Sequence, residues 1–153
     1  MYDLVKAFPK ASVQTPGPNY IEIRSAVLEN QQQRALFMHP ASTAEFPPLQ
    51  VGQDSVLTFM VGLEDAVRDK PGDGVDFTVS VRLADGSVVK LFSRYVDPRQ
   101  IVQDRGWIGN RVPLGAFAGQ SISIILSTST GPRGDSQFDW AFWGEPRVIL
   151  DAL

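Results

Sequence analysis

Regular alternation of apolar and polar side chains just before the middle of the chain is the feature that most constrains its fold. Apolar residues alternate without error with polar ones, in the order Val75, Asp76, Phe77, Thr78, Val79, Ser80, Val81, Arg82 and Leu83. A period of two places every apolar side chain on one face of a β-strand, whereas a helix would scatter them. The Asp85-Gly86 pair that follows tolerates positive φ, and Val88 to Tyr95 resumes a strand composition. The sequence therefore predicts a β-hairpin.

Further short segments have the same character. A strand is predicted from Tyr20, where Ile21 and Ile23 alternate with charged residues, and a polar break at Gln31-Gln32-Gln33 is expected to end it. The other predicted strands are Ala35–Met38, Val56–Val61, Ile122–Leu126, which the segments Arg111–Leu114 and Ala118–Gln120 precede, and Trp140–Leu150. About eight strands separated by Gly, Pro and Asp turns, with no sustained helical period, predict an all-β fold, an antiparallel β-sandwich.

The chain is long enough for one ordinary hydrophobic core, since it has 153 residues and 43% apolar composition. Pro9, Pro16 and Pro18 interrupt the start of the chain. We therefore expect a lead-in segment or tether over residues 1–19 and a β-sandwich domain over residues 20–153.

Composition argues against several classes of function. The net charge of -3 argues against nucleic acid as a partner, and no apolar run approaches the ~18 residues of a membrane span. The chain has no cysteine, and its single histidine, His39, stands beside a proline without any recognisable catalytic motif. We therefore predict that the domain is not an enzyme.

Three long stretches lack a strand pattern: Glu64 to Gly74, Asp97 to Asn110 and Ser127 to Asp139. Loops of this length in a compact domain are uncommon unless they bind something or are held by internal contacts. The first loop contains Asp69 and Asp73, and Asp76 follows it. Carboxylates on a flexible loop suit a structural calcium ion, although Asp and Gly are also ordinary turn formers.

The two later loops combine aromatic and polar residues, as sugar binding requires. A pyranose offers a face of C–H groups to an aromatic ring and hydroxyls to polar side chains. Trp140 and Phe142 share one face of the last predicted strand, which leaves Trp107 and Trp143 as the stacking candidates, with core packing as the alternative. The candidate hydroxyl ligands are Asp104, Arg105, Arg133, Asp135 and Gln137.

A resemblance to a known family supports the same interpretation. It rests on Gly72 to Val81, Asp85-Gly86, Ala118-Gly119-Gln120 and Asp139-Trp140-Ala141, in this order. This arrangement resembles the family of novel carbohydrate-binding modules. The resemblance implies a galactose-binding-like jelly roll of the kind attached to glycosidases and to other bacterial surface or envelope proteins.

A second resemblance concerns the segments Arg34 to Pro40 and Trp143 to Val148. They are similar to extracytoplasmic β-sandwich domains of bacterial membrane glycosyltransferase-like proteins. This resemblance implies a location outside the cytoplasm, in the periplasm or at the cell surface.

These observations predict a non-catalytic carbohydrate-binding module that uses edge loops to hold a glycan with weak affinity. The alternative is a structural or protein-interaction module, in which the same aromatic residues pack against another protein or the rest of a larger chain.

Overall fold

The protein folds into two antiparallel six-stranded sheets packed face to face. The computed structural model describes residues 1–150, so the end of the predicted domain, residues 151–153, lies outside the described residues. The strands are β1 (Tyr2–Asp3), β2 (Ser12–Gln14), β3 (Ile21–Leu28), β4 (Gln31–Met38), β5 (Ser42–Glu45), β6 (Leu49–Gln50), β7 (Val56–Leu63), β8 (Val75–Arg82), β9 (Val88–Val96), β10 (Ile108–Pro113), β11 (Ser121–Thr130) and β12 (Ala141–Ile149).

The first sheet has the order β10-β7-β12-β4-β3, with β1 beside the far end of β12. The second has the order β2-β5-β11-β8-β9, with β6 beside β11. This architecture confirms the predicted all-β antiparallel jelly-roll sandwich. Within residues 1–150 there are twelve strands rather than about eight, because β1, β2, β5 and β6 are only two to four residues long, too short for a periodicity signal.

Helical structure in the described part of the chain is short. The helix α1 spans Leu4–Ala7, and 3-10 helices span Phe8–Lys10, Asp65–Asp69, Val102–Asp104 and Gly115–Phe117. No helix among residues 1–150 is long and apolar enough to cross a membrane.

The predicted hairpin pairs β8 with β9 along their whole length, with one irregularity after Val79. The apolar residues Val75, Phe77, Val79 and Val81 are fully buried and contribute to the main core between the sheets. Their polar neighbours face outward, as the alternation predicts. The strand ends one residue earlier than predicted, because Leu83 closes the turn by pairing its N–H with the carbonyl of Ser87.

The amino-terminal segment corrects the prediction of a lead-in or tether. Within residues 1–19, β1 pairs with β12 of the first sheet and β2 pairs with β5 of the second. The side chain of Asp3 accepts hydrogen bonds from the N–H groups of Val5 and Lys6, which caps α1, and Leu4 and Val5 are buried. Residues 2–14 are therefore part of the sandwich, and Pro9 lies in the first turn of the 3-10 helix Phe8–Lys10.

The glutamine run also differs from its prediction as a polar break. Gln31, Gln32 and Gln33 open strand β4, and the chain reverses at Glu29-Asn30, whose φ angles are 46° and 67°. Two consecutive positive φ angles make the tight hairpin turn that suits the twist of the flanking strands. The sequence signal is weak because a Glu-Asn pair is less typical of this turn than Asn-Gly.

A second apolar cluster covers the outer face of the first sheet. It consists of the buried residues Ala26, Leu28, Ala35, Phe37 and Phe142, with Trp107 and Trp140 packed against them. The first sheet is therefore apolar on both faces, which matters for the assignment of the tryptophans below.

Candidate functional site

Three loops meet at one end of the sandwich, which we call the loop end. They join β7 to β8 (residues 64–74), β9 to β10 (97–107) and β11 to β12 (131–140). The antiparallel order of the sheets brings these connections to the same end, although they are far apart in sequence. They coincide closely with the three long loops predicted to carry function.

Tyr95, near the end of β9, holds two of these loops together. Its hydroxyl donates to the backbone carbonyl of Asp73 and lies 3.0 Å from Oδ2 of Asp97. Burial, together with the hydrogen bond to Asp97, raises the pKa of Tyr95 well above its usual value. Gly74 adopts φ +84°, and an added Cβ there would lie 2.8 Å from the Tyr95 hydroxyl. Glycine is therefore required where the chain passes this ring.

Asp97 and Asp104 fix the loop that follows β9. Oδ1 of Asp97 accepts the N–H groups of Arg99 at 3.2 Å and Gln100 at 3.4 Å. Asp104 is 2% exposed; its carboxylate accepts the N–H of Asp97 at 2.9 Å and pairs with Arg94 at 2.8 Å. Asp104 therefore organises the loop from inside, and its predicted role as a ligand for sugar hydroxyls must be corrected.

Asp73 joins the first loop to the third. Its Oδ2 accepts the N–H of Arg133 at 2.7 Å, while its Oδ1 is buried without a partner among the described residues. An added Cβ at Gly131 would lie 2.1 Å from the carbonyl oxygen of Asp73, so only glycine allows the two loops to approach this closely. The guanidinium of Arg133 donates to the carbonyl of Pro71 at 2.9 Å and remains exposed.

These loops enclose an open pocket of about 250 Å³, the loop-end pocket. Its exposed donors are Arg99, Gln100 and Arg133, and the carboxylates of Asp73 and Asp97 lie behind them. A ligand that both donates and accepts hydrogen bonds suits this combination. The lining residues are Gly72, Asp73, Tyr95, Asp97, Arg99, Gln100, Pro132 and Arg133.

Asp139 lies beneath the loop-end pocket and is fully buried. Neither of its carboxylate oxygens has a hydrogen-bond partner within residues 1–150. Burial raises the pKa of Asp139 to about 8, and the nearby charges of Asp73, Asp135 and Asp97 add to this shift. The side chain borders a small void of about 10 Å³ that Asp97 also lines. Asp139 is therefore mainly protonated at neutral pH unless a cation compensates its charge.

The structure corrects the prediction for one of the two stacking tryptophans. Trp143 is 0% exposed and packs in the main core, where its ring centroid lies 5.2 Å from those of both Phe59 and Phe77. It cannot offer a face to a ligand. The alternation along β12 was predicted correctly, but Phe142 faces outward and Trp143 inward.

Trp107 is half-buried, outside the loop-end pocket. Its ring lies over Gly62 and Gly144 on the outer face of the first sheet and contacts Phe142 at a centroid distance of 6.3 Å. Its indole N–H donates to the carbonyl of Gln31 at 2.9 Å. Trp107 is thus a partly exposed cover of the second apolar cluster.

The remaining predicted ligand residues are only partly brought together. Arg133 lines the loop-end pocket, whereas Arg105 uses its Nε to bind the carbonyl of Pro98. Asp135 accepts the N–H of Gln137 within the third loop. Gln137 itself is exposed.

The predicted calcium ligands do not form one group. Asp69 is exposed at the end of a 3-10 helix, Asp76 lies on the outer face of β8, and Asp73 lies beneath Gly131. Within residues 1–150, no three carboxylate or imidazole side chains converge into a metal-binding group. Asp73 nevertheless carries an unpartnered buried oxygen, as does Asp139.

Arg99 and Gln100 are pocket residues that the sequence did not single out as ligands. The signal available for them was the Asp97-Pro98 pair at the end of a strand, which marks a turn stabilised by its own aspartate.

Comparison with known proteins establishes the fold. No protein-family model matches the chain. An uncharacterized protein of Archaeoglobus fulgidus is 38% identical over 125 residues, which cover 78% of this chain and 31% of that protein. The chain therefore spans less than a third of the length of this relative.

Solved structures with the same fold include three from bacteria. CBM51-2 of Clostridium perfringens ZmpB, in complex with GlcNAc, has a TM-score of 0.61 at 17% identity, over 96% of this chain and 31% of that one. CBM51 of Clostridium perfringens GH95, in complex with methyl-galactose, has a TM-score of 0.58 at 15% identity, over 90% and 92%. The K1 cleaved adhesin domain of Lys-gingipain from Porphyromonas gingivalis has a TM-score of 0.57 at 14% identity, over 93% and 91%. The chain thus has the jelly-roll β-sandwich fold of these carbohydrate-binding and adhesin domains.

Proposed function

We propose that this domain is a non-catalytic carbohydrate-binding module and that its ligand site is the loop-end pocket. The observation that carries the proposal is the pocket itself, where the exposed donors Arg99, Gln100 and Arg133 stand on loops fixed by internal hydrogen bonds. The carbohydrate-binding modules among the proteins of similar fold support the same ligand class.

The chemistry of the pocket suits a saccharide. The exposed guanidinium groups of Arg99 and Arg133 and the side-chain amide of Gln100 donate to sugar oxygens, and the amide oxygen of Gln100 accepts from a sugar hydroxyl. The loops are already ordered by Tyr95 and Asp104, so binding spends little free energy on fixing them. A few exposed hydrogen bonds provide ~4–6 kcal/mol, which corresponds to a dissociation constant from millimolar to tens of micromolar.

The groups at the pocket are poorly placed for catalysis. Asp97 accepts hydrogen bonds from Tyr95, Arg99 and Gln100, which stabilise its charge and occupy its oxygens. His39 lies in the connection between β4 and β5 and is not among the residues that line the pocket; its Nδ1 is 2.9 Å from the carbonyl oxygen of Pro40. A binding role therefore fits these contacts better than acid–base chemistry.

We propose Asp73 and Asp139 as candidate ligands of a structural calcium ion. Their unpartnered buried oxygens are hard anionic ligands, and backbone carbonyls and water would complete the coordination. Such an ion would compensate the buried charge and lock the first loop to the third. This ligand pair replaces the set Asp69, Asp73 and Asp76.

The test of the proposed function is a glycan array with the purified domain, followed by calorimetric titration of the best ligand. Arg133→Ala removes one exposed donor and should weaken binding about tenfold without loss of folding. Arg111→Ala, at an exposed arginine of β10 outside the pocket, is the matched control and should bind normally. Equal affinity of wild type and Arg133→Ala would reject the loop-end pocket as the site.

A second candidate is a protein-interaction or structural module of a larger assembly. Val13 on β2 and Ile23 and Val27 on β3 are 41–49% exposed at neighbouring edges of the two sheets. Exposed apolar side chains at one seam favour contact with another protein or with the rest of a longer chain. Two results together would favour this function: no glycan on the array binds the domain, and an Ile23→Ser/Val27→Ser variant is more soluble than the wild type or assembles differently from it.

We further propose that the domain works outside the cytoplasm, at a bacterial or archaeal cell surface. Surface and adhesin domains among the proteins of similar fold support this location, as does the resemblance to domains of membrane glycosyltransferase-like proteins. Localisation of the tagged full-length protein by cell fractionation would test it.

A further inference from the structure

A second recess lies at the opposite end of the sandwich, where β8 turns into β9. It has a volume of about 530 Å³, within the ~300–1,000 Å³ typical of small-molecule sites. We call it the hairpin-end recess. Its polar lining consists of Lys10, Ser12, Glu45, Arg82, Ser121 and Ser123, none of which lines the loop-end pocket.

One wall of the recess is a rigid ion pair. Glu45 on β5 and Arg82 on β8 reach across β11 and form two parallel hydrogen bonds of 2.9 and 3.1 Å. The remaining Nη1 of Arg82 donates to the carbonyl of Gly86 at 3.1 Å. Each of the three guanidinium nitrogens thus donates a hydrogen bond. Two of these bonds hold the carboxylate of Glu45 in position, and its remaining lone pairs can accept hydrogen bonds from a ligand.

Three serine hydroxyls line the recess. Ser121 and Ser123 lie on β11, and Ser12 lies on β2. Ser123 faces Arg82 in the strand pairing and is only 8% exposed, so its side chain lies deep in the recess beside the ion pair. Serine hydroxyls both donate and accept hydrogen bonds, which matches the hydroxyls of a sugar.

The rim of the recess provides apolar surface and the exposed ammonium group of Lys10. Pro47, Pro48 and Leu83 present C–H surface against which the C–H face of a pyranose can pack. Because the charges of Glu45 and Arg82 compensate one another, the exposed Lys10 leaves one positive charge at the recess. A neutral or singly acidic saccharide meets these requirements better than a strongly charged ligand.

We propose that the hairpin-end recess is a second saccharide site, independent of the loop-end pocket. This inference goes beyond the proposed function, since it concerns a separate face with its own polar groups. Two sites at opposite ends of one domain allow simultaneous contact with two glycan chains, and the resulting avidity compensates for weak single-site binding.

The test is mapping of amide chemical shifts by NMR during titration to millimolar concentration with four separate sugars: methyl-galactoside, N-acetylglucosamine, xylotriose and glucuronic acid. At least one sugar should shift the amides of Glu45, Leu83 and Ser121–Ser123. Glu45→Gln should weaken this binding about tenfold and leave the loop-end shifts intact. Glu22→Gln, in the exposed Glu22–Arg24 ion pair of the other sheet, is the matched control and should change neither site.

Ala84→Trp, at an exposed turn residue, fills the recess without altering the ion pair and should abolish the same shifts. Arg133→Ala should affect only the loop-end shifts, so failure of one site is distinguished from failure of the other. The proposal is overturned if none of the four sugars shifts the recess amides, or if Glu45→Gln and Ala84→Trp leave those shifts unchanged. Shifts produced by a peptide mixture but by no sugar would also overturn it.

Discussion

Replacement of Trp143 by alanine tests directly whether this residue belongs to the core or to a ligand site. The side chain is fully buried between Phe59 and Phe77. Truncation of a buried tryptophan costs about 3–5 kcal/mol, from lost apolar burial and the cavity left behind. The loss of two aromatic contacts adds to this cost, whereas removal of the indole N–H, which is buried without a partner among residues 1–150, reduces it. For a domain of this size we expect the melting temperature to fall by about 6–20 °C.

The measurement is urea unfolding followed by circular dichroism, together with thermal melting and titration with the best glycan. Trp143→Phe retains most of the volume and should lose much less stability. Trp107→Ala, at the half-buried tryptophan, should lose less stability than Trp143→Ala because solvent already reaches part of its ring. A Trp143→Ala variant with an unchanged melting temperature but no glycan binding would refute the core assignment.

Three further predictions concern the loop end. In urea unfolding, Gly74→Ala should destabilise the fold by about 2 kcal/mol or more, and Gly86→Ala should destabilise it by less. Both glycines have φ above +80°, but only at position 74 would the added Cβ press against Val96 and Tyr95, so equal losses would contradict this packing. With calcium removed by a chelator, the free energy of unfolding should fall as pH rises from about 4 to about 8, because Asp139 keeps its proton in the folded protein and loses it in the unfolded chain. Asp139→Asn should flatten this pH dependence, and an unchanged slope in the variant would count against the raised pKa of Asp139. Calcium should raise the melting temperature of the wild type and chelator should lower it, with neither effect in Asp139→Asn; identical melting under both conditions would reject the ion.

The hairpin shows what local sequence determines. Val75 to Val81 alternate so regularly that a single buried face is the consistent solution, and the structure buries each apolar member of the series. The Asp85-Gly86 turn supplies the positive φ at Gly86 that the reversal needs. Both signals lie within adjacent residues and require no knowledge of the rest of the fold.

The assignment of Trp143 shows where such signals fail. The alternation indicates that Phe142 and Trp143 point to opposite faces of the sheet, but it does not indicate which of the two faces packs in the main core. The usual rule that the apolar face points inward cannot decide here, because the first sheet is apolar on both sides. Phe142 and Trp107 belong to the outer cluster, and Trp143 belongs to the main core.

The loop-end pocket depends on contacts between distant parts of the chain. Asp73 and Arg133 are 60 residues apart, and their hydrogen bond follows from the pairing of β8 with β11. The sequence indicated which loops were long enough to carry a site. It could not indicate that Asp104 turns inward to Arg94 while Arg99 and Gln100 stay exposed, because that division is set by the hydrogen bonds of the folded loop.

The position of the buried carboxylates favours a functional role for the loop end. The four aspartates buried among residues 1–150 are Asp73, Asp97, Asp104 and Asp139, and all four lie in its loops. Buried charges are costly, and apolar residues of similar volume often give equal or greater stability. Stability alone therefore does not explain four buried acids at one end of the sandwich. Their hydrogen bonds instead fix the backbone beneath Arg99, Gln100 and Arg133, which is the pre-organisation that a weakly binding site requires.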